Sequence, residues 1–180
     1  KIKSKIYLKY EDFLQANQYL DFDDLLIKSV DILKKFPLVK KKWQNKYEHI
    51  LVDEFQDTND IQYELLTLIL GEYCSLFVVG DPDQTIYTWR GADINQIVNF
   101  ENIIKENGRK NVKIMFLAQN YRSTKEIVNI SNTLIDKNKI RIKKEAVAIK
   151  SCGDKVYYFF ARNEKEEANA CCWQWNSNYL

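Results

Sequence analysis

The chain has 180 residues, and its 27 basic and 25 acidic residues give a formal net charge of +2. This near balance provides no overall attraction to nucleic acid, so any nucleic-acid site must be local. No apolar run approaches the roughly 18 residues of a membrane span, and no secretory signal opens the chain. We therefore expect a soluble, cytoplasmic globular protein without a membrane partner, and the first residue, Lys1, suggests a segment of a longer protein.

Two amphipathic helices are predicted at the start of the chain. Apolar residues recur at helical spacing from Ile6 to Leu14, and a second series begins near Asp21 and continues to Leu33. Pro37 is expected to end the second helix, because proline removes a backbone donor and clashes with the preceding turn.

Short apolar runs then alternate with amphipathic stretches, which is typical of a parallel α/β sheet. Ser123 to Glu126 is a capping box, which predicts the start of a further helix. The predicted strands are residues 50–52, 76–79 and 114–117, and the predicted helices are 61–69, 94–104 with its end at Gly108, and 123–134.

The remainder of the chain resembles the beginning of a second domain. The basic stretch 139–144, which includes Arg141, is interpreted as a solvated face without a site of its own. Residues 156–160 predict a strand, and Asn163 with Glu166 three positions later predicts the start of a last helix.

Histidine and cysteine chemistry is largely excluded. His49 leads into an apolar run and is interpreted as a surface or strand-edge residue. The cysteines do not have the zinc-site spacing of about two to four intervening residues, and we interpret all of them as free thiols: Cys74, Cys152, Cys171 and Cys172. Any chemistry must therefore depend on carboxylates, amides, arginine and aromatic side chains.

Polar residues follow each predicted strand. Asp53 and Glu54 follow the first, Asp81 the second and Asn120 the third. Ligands bind outside the carboxyl ends of parallel strands, so we expect these groups to converge on one crevice. An Asp-Glu pair after an apolar strand can hold Mg²⁺ and activate a water molecule, but taken alone it is as well explained by turn or cap residues.

Four segments occur in a fixed order and carry a family resemblance. They are Asp-Phe-Asp-Asp-Leu-Leu at 21–26, Asp-Glu-Phe-Gln-Asp-Thr-Asn at 53–59, the segment from Gly80 to Asp93, and Gln-Asn-Tyr-Arg-Ser-Thr at 119–124. Together they resemble the UvrD/Rep/PcrA family of superfamily 1 DNA helicases over about residues 7–167. The resemblance implies a partial RecA-like parallel sheet flanked by helices and the start of a second RecA-like domain.

The resemblance also implies an ATP and Mg²⁺ site. Asp53 and Glu54 match the Walker B pair, which binds Mg²⁺ and activates water. Gln84 matches the glutamine that senses the γ-phosphate, because an amide can bond both a phosphate oxygen and water. Gln56 would connect these two motifs and bind the nucleotide.

Two further groups match functional residues of the family. Tyr121 matches the aromatic residue on which adenine stacks, and Arg122 matches the arginine that stabilises the γ-phosphate. Tyr87, Trp89 and Arg90 match contacts to single-stranded DNA, where aromatic rings stack on bases of any sequence. Tyr87 and Trp89 are also open to a second interpretation, as partly buried anchors of their loop.

Residues 1–20 match the end of an inserted helical subdomain. Residues 21–117 match the C-terminal part of the first RecA-like ATPase domain, and 118–180 the beginning of the second. The five glycines are not followed by lysine, so the sequence contains no P-loop, and the family's later motifs are also missing. We expect the 180-residue chain alone to hydrolyse no ATP and to unwind no DNA.

The predicted function is that of a segment of an ATP-dependent 3′-5′ DNA helicase or translocase. Its partners would be single-stranded DNA, duplex junctions and the remainder of the helicase chain, in replication or repair. One alternative is a non-enzymatic nucleic-acid-binding or scaffold remnant, which would have no chemical need for Asp53, Glu54, Gln84 and Arg122. Another is the helicase part of a recombination helicase-nuclease, which ranks lower because those relatives tend to carry Lys in place of Asp83.

Overall fold

The computed structural model of the chain describes residues 2–106, 108 and 111–177. The chain divides into two compact units. Lys1–Ile114 and Ile140–Ile142 form the first unit, and Met115–Lys139 and Lys143–Leu180 form the second unit.

The first unit begins with two helices at the predicted positions, α1 (Ile2–Asn17) and α2 (Phe22–Lys35). A capping box fixes the start of α2, because the backbone N–H of Asp24 donates to Asp21 Oδ1 at 2.8 Å and that of Asp21 donates to Asp24 Oδ2 at 3.4 Å. Pro37 ends α2 as predicted. It also occupies the first turn of α3 (Pro37–Gln44), a helix that the sequence pattern did not predict.

A parallel two-stranded sheet follows. Strand β1 (His49–Val52) pairs with β2 (Ser75–Val78), with His49 opposite Ser75 and Val52 opposite Val78. The connecting helix α4 (Asp60–Ile69) begins at a second capping box, between Asn59 and Gln62, and packs on α2 and α3. The buried residues of this layer are Val30, Leu33, Leu66 and Cys74.

The predicted helix 94–104 is two helices, α5 (Ile94–Val98) and α6 (Phe100–Glu106). The interruption falls at Asn99, which caps α5 and leaves helical geometry there. Phe100 then packs edge-on against the fully buried Phe55, with ring centroids 5.2 Å apart. Gly108 has φ +86° and donates its N–H to Lys105 O at 2.9 Å, as expected of a glycine that ends a helix.

The second unit contains a short parallel pair, β3 (Gln119–Asn120) and β4 (Val147–Ala148). Helix α7 (Lys125–Ile135) packs on β4, where the side-chain amide of Asn132 donates to Ala146 O at 2.9 Å. Helix α8 (Glu164–Ser177) starts as predicted, because Asn163 Oδ1 accepts a hydrogen bond from the N–H of Glu166.

Two predicted strands are wrong. Residues 114–117 and 156–160 contain no strand, and the third predicted strand therefore adds nothing to the β1–β2 sheet. An apolar run becomes a strand only when a neighbouring strand satisfies its backbone groups. Near the first run, pairing starts only at Gln119, while Leu117 is 91% exposed.

The predicted capping box at Ser123 is also wrong. Helix α7 is capped by Thr124, which makes no side-chain hydrogen bond to the backbone of the helix. The carboxylate of Glu126 instead accepts a hydrogen bond from the N–H of Gly153 at 2.7 Å, and this bond lowers the pKa of Glu126. A tertiary contact has therefore replaced the local one.

No disulfide involves Cys74, Cys152 or Cys171, which confirms the interpretation of these three as thiols, and the side chain of Cys172 lies outside the described residues. None of the helices in the described residues combines the length and the apolar character needed to cross a membrane.

Candidate functional site

The end of β1 presents two exposed carboxylates. Asp53 directly follows the strand, and its Oδ1 accepts a hydrogen bond from the N–H of Glu54 at 2.9 Å. Glu54 has a left-handed backbone, with φ 50° and ψ 42°, which is rare for a residue with a side chain. Such strain is concentrated at functional sites, where the surrounding structure holds it in place.

Gln56 connects the ends of the two strands. Its side chain is only 1% exposed, its Nε2 donates to Glu54 Oε2 at 2.7 Å, and its Oε1 accepts from the N–H of Asp81 at 2.9 Å. Asp81 follows β2, so these bonds confirm that the polar groups after the first two strands converge. The amide holds the Glu54 carboxylate in a defined position.

Gly80 allows the side chain of Gln56 to come close to the backbone after β2. A Cβ atom at this position would lie 2.6 Å from Gln56 Oε1 and 2.8 Å from Ile97 Cδ1, closer than atoms in contact can come. A side chain between β2 and Asp81 would therefore displace the amide of Gln56, and the glycine allows this amide to reach the backbone of Asp81.

Asp81 extends the network to Gln84. Residues Pro82–Gln84 form a 3₁₀ turn that begins at Asp81, whose Oδ1 accepts from the N–H of Asp83 at 3.0 Å. The other carboxylate oxygen, Oδ2, accepts from Gln84 Nε2 at 2.8 Å. A continuous series of hydrogen bonds thus runs from Glu54 through Gln56 and Asp81 to the exposed side chain of Gln84.

Three residues after Gln84, a cluster of two aromatic rings and one guanidinium begins. The Cζ atom of Arg90 lies 4.5 Å from the ring centroid of Trp89 and 5.2 Å from that of Tyr87. Trp89 is 71% exposed and Tyr87 is 37% exposed. An exposed ring does not anchor its loop, so the first unit presents Trp89 as a surface available to a ligand, whereas Tyr87 is exposed to a smaller extent.

A cavity of about 510 Å³ lies between β1 and α4. Its walls are mostly apolar, and the polar residues that line it are Asp53, Glu54, Asp57, Thr58 and Gln62. The lining therefore offers carboxylate, hydroxyl and amide groups to a ligand.

The other two predicted site residues, Tyr121 and Arg122, lie in the second unit. Asn120 Oδ1 accepts hydrogen bonds from the N–H groups of Arg122, at 3.0 Å, and Ser123, at 2.8 Å, which fixes the turn before α7. The Tyr121 hydroxyl donates to the side chain of Gln119, while its ring is 66% exposed, and Arg122 is exposed too. Both side chains are available to a ligand within this unit.

The donor set determines which ions and ligands fit. The described residues contain no group of three or more His, Cys, Asp or Glu side chains that could hold a metal ion. Two adjacent carboxylates fit Mg²⁺, which proteins bind through one or two carboxylates together with water and substrate phosphates. Asp53 and Glu54 could therefore hold Mg²⁺ that arrives with a nucleotide.

Sequence reasoning placed Asp81 at the end of the second predicted strand without giving it a role, and it missed Arg141. Asp81 organises the turn, and the Asp-Pro pair was a signal for this, because an acidic residue before proline commonly starts a helical turn. Arg141 pairs with Asp83, with Nη2 and Oδ2 3.4 Å apart and side chains only 9% and 6% exposed. The interpretation of 139–144 as a solvated face is therefore wrong for Arg141, although Lys139 and Lys143 are exposed.

Family models match both parts of the chain. The model of the UvrD/REP helicase N-terminal domain matches residues 1–105, and that of the UvrD-like helicase C-terminal domain matches residues 115–178. The chain belongs to the UvrD/REP helicase family. The segments around Asp53, Gln84 and Arg122 thus all lie within matched regions.

Curated relatives within this family are also similar. The chain is 44% identical over 163 residues to the ATP-dependent DNA helicase PcrA of Staphylococcus epidermidis, and 42% identical over the same length to that of Staphylococcus aureus. Each match covers 91% of the chain and 22% of the relative. The chain therefore spans about a fifth of the length of these helicases.

Proposed function

We propose that the chain is part of an ATP-dependent DNA helicase of the UvrD/Rep/PcrA type, which couples ATP hydrolysis to 3′-5′ movement on single-stranded DNA. The observation that carries this proposal is the hydrogen-bond series from Glu54 through Gln56 and Asp81 to Gln84. It joins a candidate water-activating carboxylate at the end of β1 to a candidate phosphate-sensing amide in the turn after β2. The similarity to helicases named PcrA supports the same proposal.

In the proposed reaction, Asp53 would hold Mg²⁺ and Glu54 would take a proton from the attacking water. When bound, Mg²⁺ would neutralise the charge of the phosphates. Gln56 keeps the Glu54 carboxylate in position, and Gln84 donates or accepts a hydrogen bond according to whether phosphate is present. Arg122 is proposed to stabilise charge on the transferred phosphate, and Tyr121 to stack on adenine.

Tyr87, Trp89 and Arg90 are proposed to bind single-stranded DNA. An exposed indole ring contributes about 1–3 kcal/mol by stacking on a base, and the guanidinium can bind a phosphate. This cluster follows Gln84 in the same segment, so a change of hydrogen bonding at Gln84 can alter the position of the cluster. Hydrolysis and DNA affinity would be coupled in this way.

The domain assignment remains part of the proposal. Residues 21–117 would belong to the first RecA-like domain, 118–180 to the second, and 1–20 to a helical insertion. The partners would be single-stranded DNA, duplex junctions and the remainder of a longer, cytoplasmic helicase chain. Because the sequence contains no glycine followed by lysine, the 180-residue chain alone would not hydrolyse ATP.

A second candidate is a nucleic-acid-binding protein without hydrolysis. The exposed cluster of Trp89 and Arg90 favours it, because stacking and phosphate binding need no nucleotide. This candidate requires single-strand affinity that does not depend on ATP.

The test is the substitution Glu54→Gln in the longer protein that contains this chain. Loss of a general base should lower kcat for ATP hydrolysis by about 100-fold or more. Glu72→Gln, at an exposed carboxylate outside the network, is the matched control and should change kcat less than about twofold. Equal activity of the two variants would contradict the proposal, as would ATP turnover by the purified 180-residue chain.

A further inference from the structure

A buried ion pair lies immediately beside the proposed sensing residue. Asp83 occupies the 3₁₀ turn Pro82–Gln84, and its carboxylate lies 3.4 Å from the guanidinium of Arg141. Both side chains are more than nine-tenths buried, at 6% and 9% exposure. Ile140–Ile142 belongs to the first unit, although the residues before and after it belong to the second.

Burial makes this pair different from the other ion pairs among the described residues of the first unit. A buried carboxylate that loses its cation carries a large desolvation cost, whereas an exposed pair contributes little. The pair of Lys35 and Asp31, for example, is 68% and 52% exposed. Asp83 Oδ1 has no hydrogen-bond partner among the described residues, so the charge of Asp83 depends strongly on Arg141.

The turn transmits the position of Asp83 to Gln84. Asp81 accepts hydrogen bonds from the N–H of Asp83 and from the side chain of Gln84, through its two carboxylate oxygens. A displacement of Asp83 would therefore rotate Asp81 or break one of these bonds, and Gln84 would lose its orientation.

We propose that Arg141 is a positioning residue for the nucleotide-sensing turn, which it holds in place through Asp83. The inference rests on the proposed function of Gln84 and extends it, because it assigns a role to a residue from a distant, basic part of the sequence. Arg141 would touch neither nucleotide nor DNA. Its effect would appear in the catalytic rate, because misorientation of a sensing group slows the reaction more than it weakens binding.

The experiment is a double-mutant cycle in the longer protein that contains this chain. The variants are Asp83→Asn, which keeps the side-chain shape, Arg141→Gln, and both together, with Lys143→Gln as the control at an exposed cation two residues away. We expect each single substitution of the pair to lower kcat for ATP hydrolysis about tenfold, with KM for ATP changed less than about threefold. The double variant should be no slower than the slower single variant, because the pair acts as a unit.

Three results would overturn the inference. The first is that kcat of both single variants lies within about twofold of that of Lys143→Gln. The second is that the substitutions change KM and kcat by equal factors. The third is that the double variant loses kcat by the product of the two single factors. Thermal unfolding shows whether Arg141→Gln is folded. If it is not, the kcat and KM of the isosteric variant Asp83→Asn test the inference by the same criteria. A wild-type rate in Glu54→Gln would instead contradict the proposed function, so the two failures can be told apart.

Discussion

Glu54 adopts a backbone conformation that costs a residue with a side chain roughly 1–2 kcal/mol. Its φ of 50° turns the chain from β1 into the buried turn Phe55–Asp57. Gln56, in that turn, returns a hydrogen bond to the Glu54 carboxylate, and the N–H of Phe55 donates to Val79 O at 2.9 Å. The strain is thus offset by one local bond and by one bond that forms only when the end of β2 lies beside that of β1.

The buried amide of Gln56 should contribute measurably to stability. Gln56→Leu would leave the N–H of Asp81 and one oxygen of Glu54 without this partner, so we expect the free energy of unfolding to fall by about 1–3 kcal/mol. Urea unfolding of the 180-residue chain, followed by circular dichroism, measures this change. Gln84→Leu is the control, because that side chain is exposed, and it should change stability by less than about 0.5 kcal/mol. Equal effects of the two substitutions would disprove the bridging role of Gln56.

At the scale of single residues, the sequence predicted the two carboxylates and Gln84 as site residues because their motifs are local. It could not identify the partner of Gln56, because that depends on the register in which β1 pairs with β2. It also could not identify Arg141 as a buried residue, since a basic stretch is usually solvated and only the fold places Asp83 next to it.

Among the secondary structure elements, those with long periodic patterns were predictable. Helices α2 and α4 bury apolar residues such as Val30, Leu33 and Leu66, as their spacing of apolar residues predicts, whereas α1 was predicted from the same kind of spacing although only Leu14 is buried among its described residues. Strands β1 and β2 were also found, whereas residues 114–117 were not a strand although their composition is similar. The difference lies in the availability of a neighbouring strand, which no local pattern encodes.

The cap of α2 should make stability depend on pH. Hydrogen bonds from the Asp24 backbone and the Tyr10 hydroxyl lower the pKa of Asp21 below its ordinary value of 3.8. A group whose pKa is lower in the folded than in the unfolded state stabilises the fold at pH values above its pKa in the unfolded state. This contribution is lost as the pH falls through the pKa in the folded state. Asp21→Asn keeps an acceptor at the cap but removes the titration.

We therefore expect the difference in unfolding free energy between wild type and Asp21→Asn to be constant from about pH 7 to pH 5. Below pH 3.8 the wild type should lose stability relative to the variant. Urea unfolding at a series of pH values measures the difference, and a constant difference down to pH 3 would contradict this explanation of the cap.

At the scale of the whole molecule, composition was uninformative and the order of motifs was decisive. The net charge of +2 gives no indication of a polyanionic partner, because the candidate DNA contacts are confined to one segment around Trp89 and Arg90. The sheet of the first unit has two strands in the described residues, and the chain spans 22% of its relatives. The composition of so small a part could not indicate a helicase, but the order of its four motifs could.

The proposed coupling between Gln84 and the proposed DNA-binding cluster of Tyr87, Trp89 and Arg90 is tested most directly by single-strand affinity. The measurement is fluorescence anisotropy of a labelled oligonucleotide with the longer protein, with and without a non-hydrolysable ATP analogue. We expect the analogue to change the wild-type affinity by about fivefold or more, and Gln84→Ala to abolish this change while nucleotide-free affinity stays the same. Gln15→Ala, at an exposed position on α1, should behave as the wild type. An undiminished response to the analogue in Gln84→Ala would contradict the coupling.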